Sequence, residues 1–197
     1  MKRWISCIIA GALICCCLAG CSGDSEEKET SEESVKPLVI DSETYGSLYE
    51  SVPDSDVSYT EEEIDDIAQG ISDWAASTLL VDSSLEENTR ELIDQGLYEC
   101  IVSDEDLEKV KSDRESFYSD NAEVMIKKAE TAVESATATK YNNMDLGRVK
   151  CETRISGTYN GEPFTRSYHL SLMVSYNESV TSVYEIGKIE WEELNNE

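Results

Sequence analysis

Few side chains of this sequence could do chemistry, and their spacing matches no catalytic motif. His169 is the only histidine. This excludes a His-Glu-x-x-His metal site, and any Ser-His-Asp triad would have to use His169. Asp41 and Glu43 come nearest to an EF-hand calcium loop, but the closing Glu is missing. The sequence therefore predicts no catalytic residue, no metal site and no cofactor.

The seven cysteines are the other candidates for chemistry. Only Cys100 and Cys151 lie outside the first 21 residues. They could form a disulfide if their Cα atoms lie within about 7 Å of each other. Alternatively, they are two buried thiols that pack as small hydrophobic groups. The sequence leaves both interpretations open.

The N-terminus has the order of a secretory signal, in which Lys2 and Arg3 precede an apolar stretch and a group of small residues. The apolar stretch is shorter than the roughly 20 residues that a spanning helix needs. The last positions, Leu18-Ala19-Gly20-Cys21, resemble the lipobox of bacterial lipoproteins. The resemblance implies cleavage before Cys21, a lipid on its thiol, and anchoring at the extracytoplasmic face of a cell membrane, as in Gram-positive bacteria. An uncleaved short membrane anchor is the alternative.

The formal net charge is -26 at pH 7. Nucleic acids and anionic lipid headgroups are bound through clustered Lys and Arg side chains. The composition therefore argues strongly against binding of nucleic acid or anionic lipid headgroups through the domain. It favours a well-solvated exported protein, with a basic protein partner as the second interpretation.

Composition divides the chain into three parts. Residues 1–20 are the signal peptide, residues 21–58 are an acidic Ser- and Glu-rich tether that we expect to be disordered, and residues 59–197 form one domain. One stripe in the tether has helical spacing. We expect it either to pack on the domain's own core or to bind in the groove of a partner. The stripe consists of Tyr45, Leu48, Tyr49 and Val52.

Capping patterns predict three helices. Thr60-Glu-Glu-Glu63 begins a helix over residues 61–79, and Ser84-Leu-Glu-Glu87 begins a second helix with a break near Gly96. Ser103-Asp-Glu-Asp106 begins a short third helix. We expect a loop over residues 111–121, anchored by Phe117 and Tyr118.

After residue 143 the apolar period changes to two, which predicts antiparallel strands. Asn160-Gly161 supplies a tight hairpin turn, and Gly187 marks a bulge in a last strand over residues 180–194. Residues 124–141 are ambiguous between helix and strand, and their second half favours a strand. Helices followed by three to four strands predict an α+β domain with one sheet face against the helices.

This order of elements resembles the nuclear-transport-factor-2-like, or cystatin-like, superfamily. The likeness rests on the Trp74-bearing first long helix, the hairpin at Asn160-Gly161 and the final Ile189-Glu-Trp191. It implies a cone-shaped domain, with exported partner-binding domains of Gram-positive conjugation and secretion machinery as the most similar members. Enzymes of the superfamily place polar residues inside the cone, whereas His169 falls on the outward register of its strand.

Two functions follow as expectations. The first is a non-catalytic module that binds an envelope protein, and the second is a carrier or receptor for a small molecule held between helices and sheet. We expect either function to use aromatic side chains of the domain, which are Trp74, Tyr98, Tyr159, Tyr168 and Tyr176.

Overall fold

Four helices precede four strands in the part of the chain that the structure describes. The computed structural model describes residues 47–53, 57–118, 122–141, 144–177 and 180–192. The signal peptide, Cys21 and most of the tether lie outside these residues. The predicted α+β class is confirmed, and the sheet has four strands. The elements are α1 (Leu48–Ser51), α2 (Glu61–Thr78), α3 (Glu87–Cys100), α4 (Asp104–Phe117), β1 (Val124–Tyr141), β2 (Met144–Tyr159), β3 (Glu162–Asn177) and β4 (Val180–Trp191).

Helix α2 begins as its sequence predicts. The Glu63 amide donates to Thr60 Oγ1 at 3.3 Å, and the Thr60 amide donates to Glu63 Oε2 at 2.8 Å. Both bonds of the capping box are therefore present. Ile67, Ile71 and Ala75 follow at helical spacing and are fully buried, so this face of α2 packs on the sheet.

Two features predicted for α3 are wrong. Ser84 is not its N-cap, because the Ser84 amide and hydroxyl both donate to Asp82 Oδ1, at 3.1 and 2.7 Å. This local turn holds Ser84 outside the helix, which begins at Glu87 without a side-chain cap. The helix also runs through Gly96 without a break.

Helix α4 is longer than predicted. Ser103 caps it as expected, with the Asp106 amide donating to Ser103 Oγ at 3.3 Å. The helix then continues to Phe117 through most of the predicted loop. The buried stripe contains Arg114 at a position where an apolar residue is expected, and this charged residue hid the helical period. Phe117 is buried as predicted, and the Tyr118 hydroxyl donates to the Val81 carbonyl at 2.7 Å.

The four strands form one antiparallel sheet in the order β1-β2-β3-β4. Asn160 and Gly161 both have positive φ, 52° and 84°, and join β2 to β3 as predicted. The predicted bulge at Gly187 is confirmed, because the pairing shifts by one residue between Ile186 and Lys188.

Residues 124–141, which the sequence left ambiguous between helix and strand, are a strand over their full length. Lys127 and Glu134 are extra residues in the pairing of β1 with β2. Each bulge increases the spacing between inward side chains from two to three residues. Ala129, Val133 and Ala136 therefore share one face of the sheet at a spacing that imitates a helix.

The two faces of the sheet are covered differently. On the inner face, apolar side chains of β1 to β4 pack with α2, α3 and α4 into the main core. On the outer face, Leu48 and Val52 pack against Leu146 and Met173 in a second, smaller cluster. We call residues 47–53 the strap. Of the two alternatives for this stripe, the structure shows packing of Leu48, Tyr49 and Val52 on the chain's own domain, and Tyr45 lies outside the described residues.

Candidate interaction surface

The predicted aromatic residues do not line one pocket. Tyr168 is buried, with its ring centroid 6.2 Å from that of Trp191. Tyr159 packs on Phe117 at 5.1 Å, near the start of β3. Tyr176, at the other end of β3, donates its hydroxyl to Asp66 at 2.9 Å. These three rings are spread along the sheet and fill the space between the layers.

The remaining two predicted residues, Trp74 and Tyr98, lie on helices α2 and α3 and are half-buried. Trp74 packs against the main core. Tyr98 is the only one of the five predicted residues that lines either of the two surface grooves described below.

A groove between α3 and α4 combines an apolar floor with an acidic rim. We call it the helix groove; it is open to solvent and has a volume of about 430 Å³. Lys111 Nζ lies 5.8 Å from the Tyr98 ring centroid, which shows that the ring faces a cation in this groove. Burial raises the pKa of Tyr98, so its hydroxyl stays protonated at neutral pH. The groove is lined by Glu91, Asp94, Gln95, Tyr98, Glu99, Leu107 and Lys111.

Asp94, which lines this groove, forms an ion pair with the buried Arg114. Arg114 Nη2 lies 2.9 Å from Asp94 Oδ1 and 2.5 Å from the Thr78 carbonyl oxygen, so this one guanidinium joins α4 to α3 and to the end of α2. Burial raises the pKa of Asp94, and the positive charges of Arg114 and Arg90 partly offset this effect. The ion pair fixes the spacing of the two helices that form the groove.

A second groove lies beside α4 and the end of β4. Its lining mixes Glu105, Glu108 and Asp113 with Lys109 and the Trp191 ring. Both charge signs are present, and Lys109 already pairs with Glu105 at 2.9 Å. This groove therefore offers less charge complementarity to a ligand than the helix groove does.

A buried ion pair that the sequence analysis missed lies under the second groove. Arg166 of β3 donates to both carboxylate oxygens of Asp113, at 2.7 and 2.8 Å. Its guanidinium carbon is 5.2 Å from the Phe117 ring centroid and 6.0 Å from that of Trp191. Arg166 shares the inward register with Phe164 and Tyr168, and that alternation was the available signal. The pair attaches α4 to the sheet.

The strap is held at both ends by charged side chains of the outer sheet face. The Leu48 and Tyr49 amides donate to the Glu185 carboxylate at 3.0 and 2.7 Å. Arg148 Nη2 donates to the carbonyl oxygens of Tyr49 and Val52, at 2.6 and 2.8 Å. A carboxylate at the start of the turn and a guanidinium at its end complement the turn's dipole.

Cys100 and Cys151 are both buried, and neither forms a disulfide in the structure. Burial raises the pKa of the Cys151 thiol to about 12, so it is protonated and unreactive at neutral pH. His169 is exposed on the outer face, in its predicted register. No group of His, Cys, Asp and Glu side chains suited to a metal occurs within the described ranges.

Charge is distributed unequally between the two layers. The three long helices carry sixteen acidic and four basic side chains, whereas the four strands carry seven and eight. Nearly all of the negative charge of the described domain therefore lies on the helical layer. Among the described helices, none has the length and apolarity needed to cross a membrane.

No family model matches the chain, and no curated protein or solved structure is significantly similar to it.

Proposed function

We propose that this chain is a lipoprotein anchored through Cys21 at the extracytoplasmic face of a cell membrane. Its domain binds an envelope protein, as part of an envelope, conjugation or secretion assembly, and catalyses no reaction. The order of basic residues, apolar stretch and Leu18-Ala19-Gly20-Cys21 supports the anchor. The acidic segment that follows, up to the strap, supports its role as a spacer.

The helix groove is the observation that carries the binding proposal. Its Tyr98 and Leu107 offer apolar contact, and its acidic rim attracts Lys or Arg side chains. A surface with an aromatic centre and a charged rim has the arrangement of a protein interface. The partner segment that fits is basic, with an apolar side chain beside its cations.

We also propose that the domain adopts the cone of the cystatin-like superfamily. The order of helices followed by a four-stranded meander supports this. So do the bulges in β1 and β4, because a bulge bends its strand and increases the local twist.

The anchor is tested by comparing Cys21→Ala with Cys17→Ala. The first change removes the proposed lipid acceptor, and the second changes a cysteine of the signal segment. We expect Cys21→Ala to abolish membrane association, and we expect Cys17→Ala to yield a membrane protein whose intact mass corresponds to cleavage before Cys21 plus a diacylglycerol. An unlipidated wild-type chain would contradict the anchor.

The binding proposal is tested by native mass spectrometry of the protein extracted gently from its own cells. We expect a protein-sized mass excess on the wild-type chain that is lost in Glu91→Lys/Glu99→Lys. Glu61→Lys/Glu62→Lys makes the same charge change on α2, away from the groove, and should retain the partner. Loss in both variants, or no excess on the wild-type chain, would contradict the proposal. A small-molecule excess would favour a carrier.

A further inference from the structure

The outer face of the sheet differs in charge from the helical layer on the other side. Outside the strap, its strand positions alternate in charge, with ion pairs Lys128–Glu130 at 2.7 Å, Arg154–Glu152 at 3.2 Å and Lys188–Glu190 at 2.9 Å. Lys150 is also exposed, next to Glu152 on β2 and in the same cross-strand row as Lys188. With Arg148, Glu185 and Glu50 of the strap region included, positive and negative side chains balance on this face, whereas the helices opposite are strongly negative.

The strap places the start of the domain on this same face. Leu48 and Val52 are each 2% exposed and pack on Leu146 and Met173. Glu185 and Arg148 fix the two ends of the turn. The chain that precedes residue 47 therefore joins the domain at the outer face, on the side opposite the helices.

From these two observations we propose that the outer sheet face lies against the membrane surface, and that the helical layer with its groove points away from it. The partner of this face is a bilayer surface rich in anionic lipid. The inference rests on the proposed lipid anchor. It requires no net affinity of the domain for lipid, because the anchor supplies attachment and the domain needs only a preferred orientation.

The physical cause is the difference in charge between the two layers. A negatively charged leaflet repels the acidic helical layer more strongly than it repels the outer face. Its electric field decays over a Debye length of about 8–10 Å. A domain that touches the bilayer is therefore oriented strongly, whereas a domain at the full reach of its tether is not. Attachment at the outer face keeps that side near the bilayer.

The test measures which face is closer to the lipid headgroups. The full chain is expressed with Thr165→Cys, exposed on the outer face, or Gln69→Cys, exposed on α2. Membranes are isolated, the thiol is labelled with a fluorescent donor, and energy transfer to an acceptor-labelled headgroup lipid is measured. The wild-type chain, whose Cys100 and Cys151 are buried, gives the labelling background.

We expect at least twofold more transfer from position 165 than from position 69. The difference should shrink in high salt and in vesicles whose only phospholipid is phosphatidylcholine. Lys150→Glu should reduce it, whereas Lys109→Glu, the same change on α4, should not. Equal transfer from membrane-bound protein, or more from position 69, would overturn this inference alone. Protein that does not associate with membranes would overturn the proposed anchor as well.

Discussion

Two arginines show how single residues determine the packing of this domain. Arg114 and Arg166 occupy inward positions and are 3% and 6% exposed. Each pairs with an aspartate of a neighbouring element, Asp94 and Asp113. A buried guanidinium stabilises a fold only while its partner is present, because an unpaired buried charge is strongly unfavourable.

Removing the partner of Arg166 should therefore cost more than removing the pair. We expect Asp113→Ala to lower the free energy of unfolding by about 3 kcal/mol, since Arg166 stays buried without its carboxylate. Urea denaturation measures the change. The double variant Arg166→Met/Asp113→Leu should recover at least half of the loss. A loss below about 1 kcal/mol in Asp113→Ala would show that the pair is not effectively buried.

The Cys151 thiol predicts a decline of stability in alkali. Burial raises its pKa to about 12 in the folded chain, compared with about 8.5 in an unfolded one. Above pH 8.5 the unfolded chain loses this proton while the folded chain keeps it, so ionisation favours unfolding. Urea midpoints should fall between pH 8 and 10. They should fall less steeply in Cys151→Ala, and equal slopes would contradict the assignment.

At the scale of elements, the sequence predicts caps, turns and strands whose apolar residues keep a regular spacing. It misses places where an extra residue changes that spacing. The capping box at Thr60 and the turn at Asn160-Gly161 are local signals, and both are confirmed. The bulges at Lys127 and Glu134 change the spacing within β1. Unlike the bulge that Gly187 marks in β4, these two have no local signal, because the pairing with β2 decides where they lie.

The strap depends on the absence of a side chain at Gly187. A Cβ there would lie 2.3 Å from atoms of the Tyr49 ring. We expect Gly187→Ala to lower the free energy of unfolding by about 1–3 kcal/mol, as overpacking does. In a Tyr49→Ala background the same change should cost under about 0.5 kcal/mol. A thermal or urea double-mutant cycle measures this coupling.

Gly96→Ala is the control for this prediction. A Cβ at Gly96 would meet no atom within 4 Å, and the residue lies inside α3. Alanine there should raise the free energy of unfolding by about 0.5–1 kcal/mol, because glycine is the poorer helix former. Destabilisation at both positions would mean that backbone effects, and not the Tyr49 contact, explain the Gly187 result.

Arg148 should control how long the strap stays docked. In Arg148→Ala, the carbonyl oxygens of Tyr49 and Val52 lose their charged donor. We expect hydrogen exchange of the Leu48 and Tyr49 amides to accelerate about tenfold or more, which corresponds to at least 1.4 kcal/mol. Arg154→Ala removes an exposed arginine from the same face and should leave the exchange unchanged. Equal acceleration in both variants would contradict this role of Arg148.

For the whole molecule, the net charge predicts the sign of the surface charge but not where that charge is concentrated. That distribution requires knowing that acidic residues concentrate on α2, α3 and α4 and that these helices share one side of the sheet. The same limit applies to the candidate site. Tyr98 could be named from the sequence, but Lys111 and Leu107 become its neighbours only once α3 and α4 pack together.

Concentrating so much negative charge on one layer should make folding sensitive to salt. Like charges on adjacent helices repel, and this repulsion is screened at high ionic strength. We expect the thermal midpoint to rise by several degrees between low and physiological sodium chloride. An equal osmolarity of a neutral sugar separates screening from general solute effects. A midpoint that is flat or falls with salt would contradict the prediction.

The strap also constrains when the domain can be completed during synthesis. Its amides bind Glu185, 136–137 residues further along the chain. A ribosome makes the strap early and its binding site last, so the turn has no carboxylate to bind until β4 has paired with β3. A truncated chain that ends before residue 180 keeps Arg148 but lacks Glu185, so the amides of the strap have no carboxylate to bind. In such an unfinished chain we expect the strap to be cut more readily by quality-control proteases than in the complete domain.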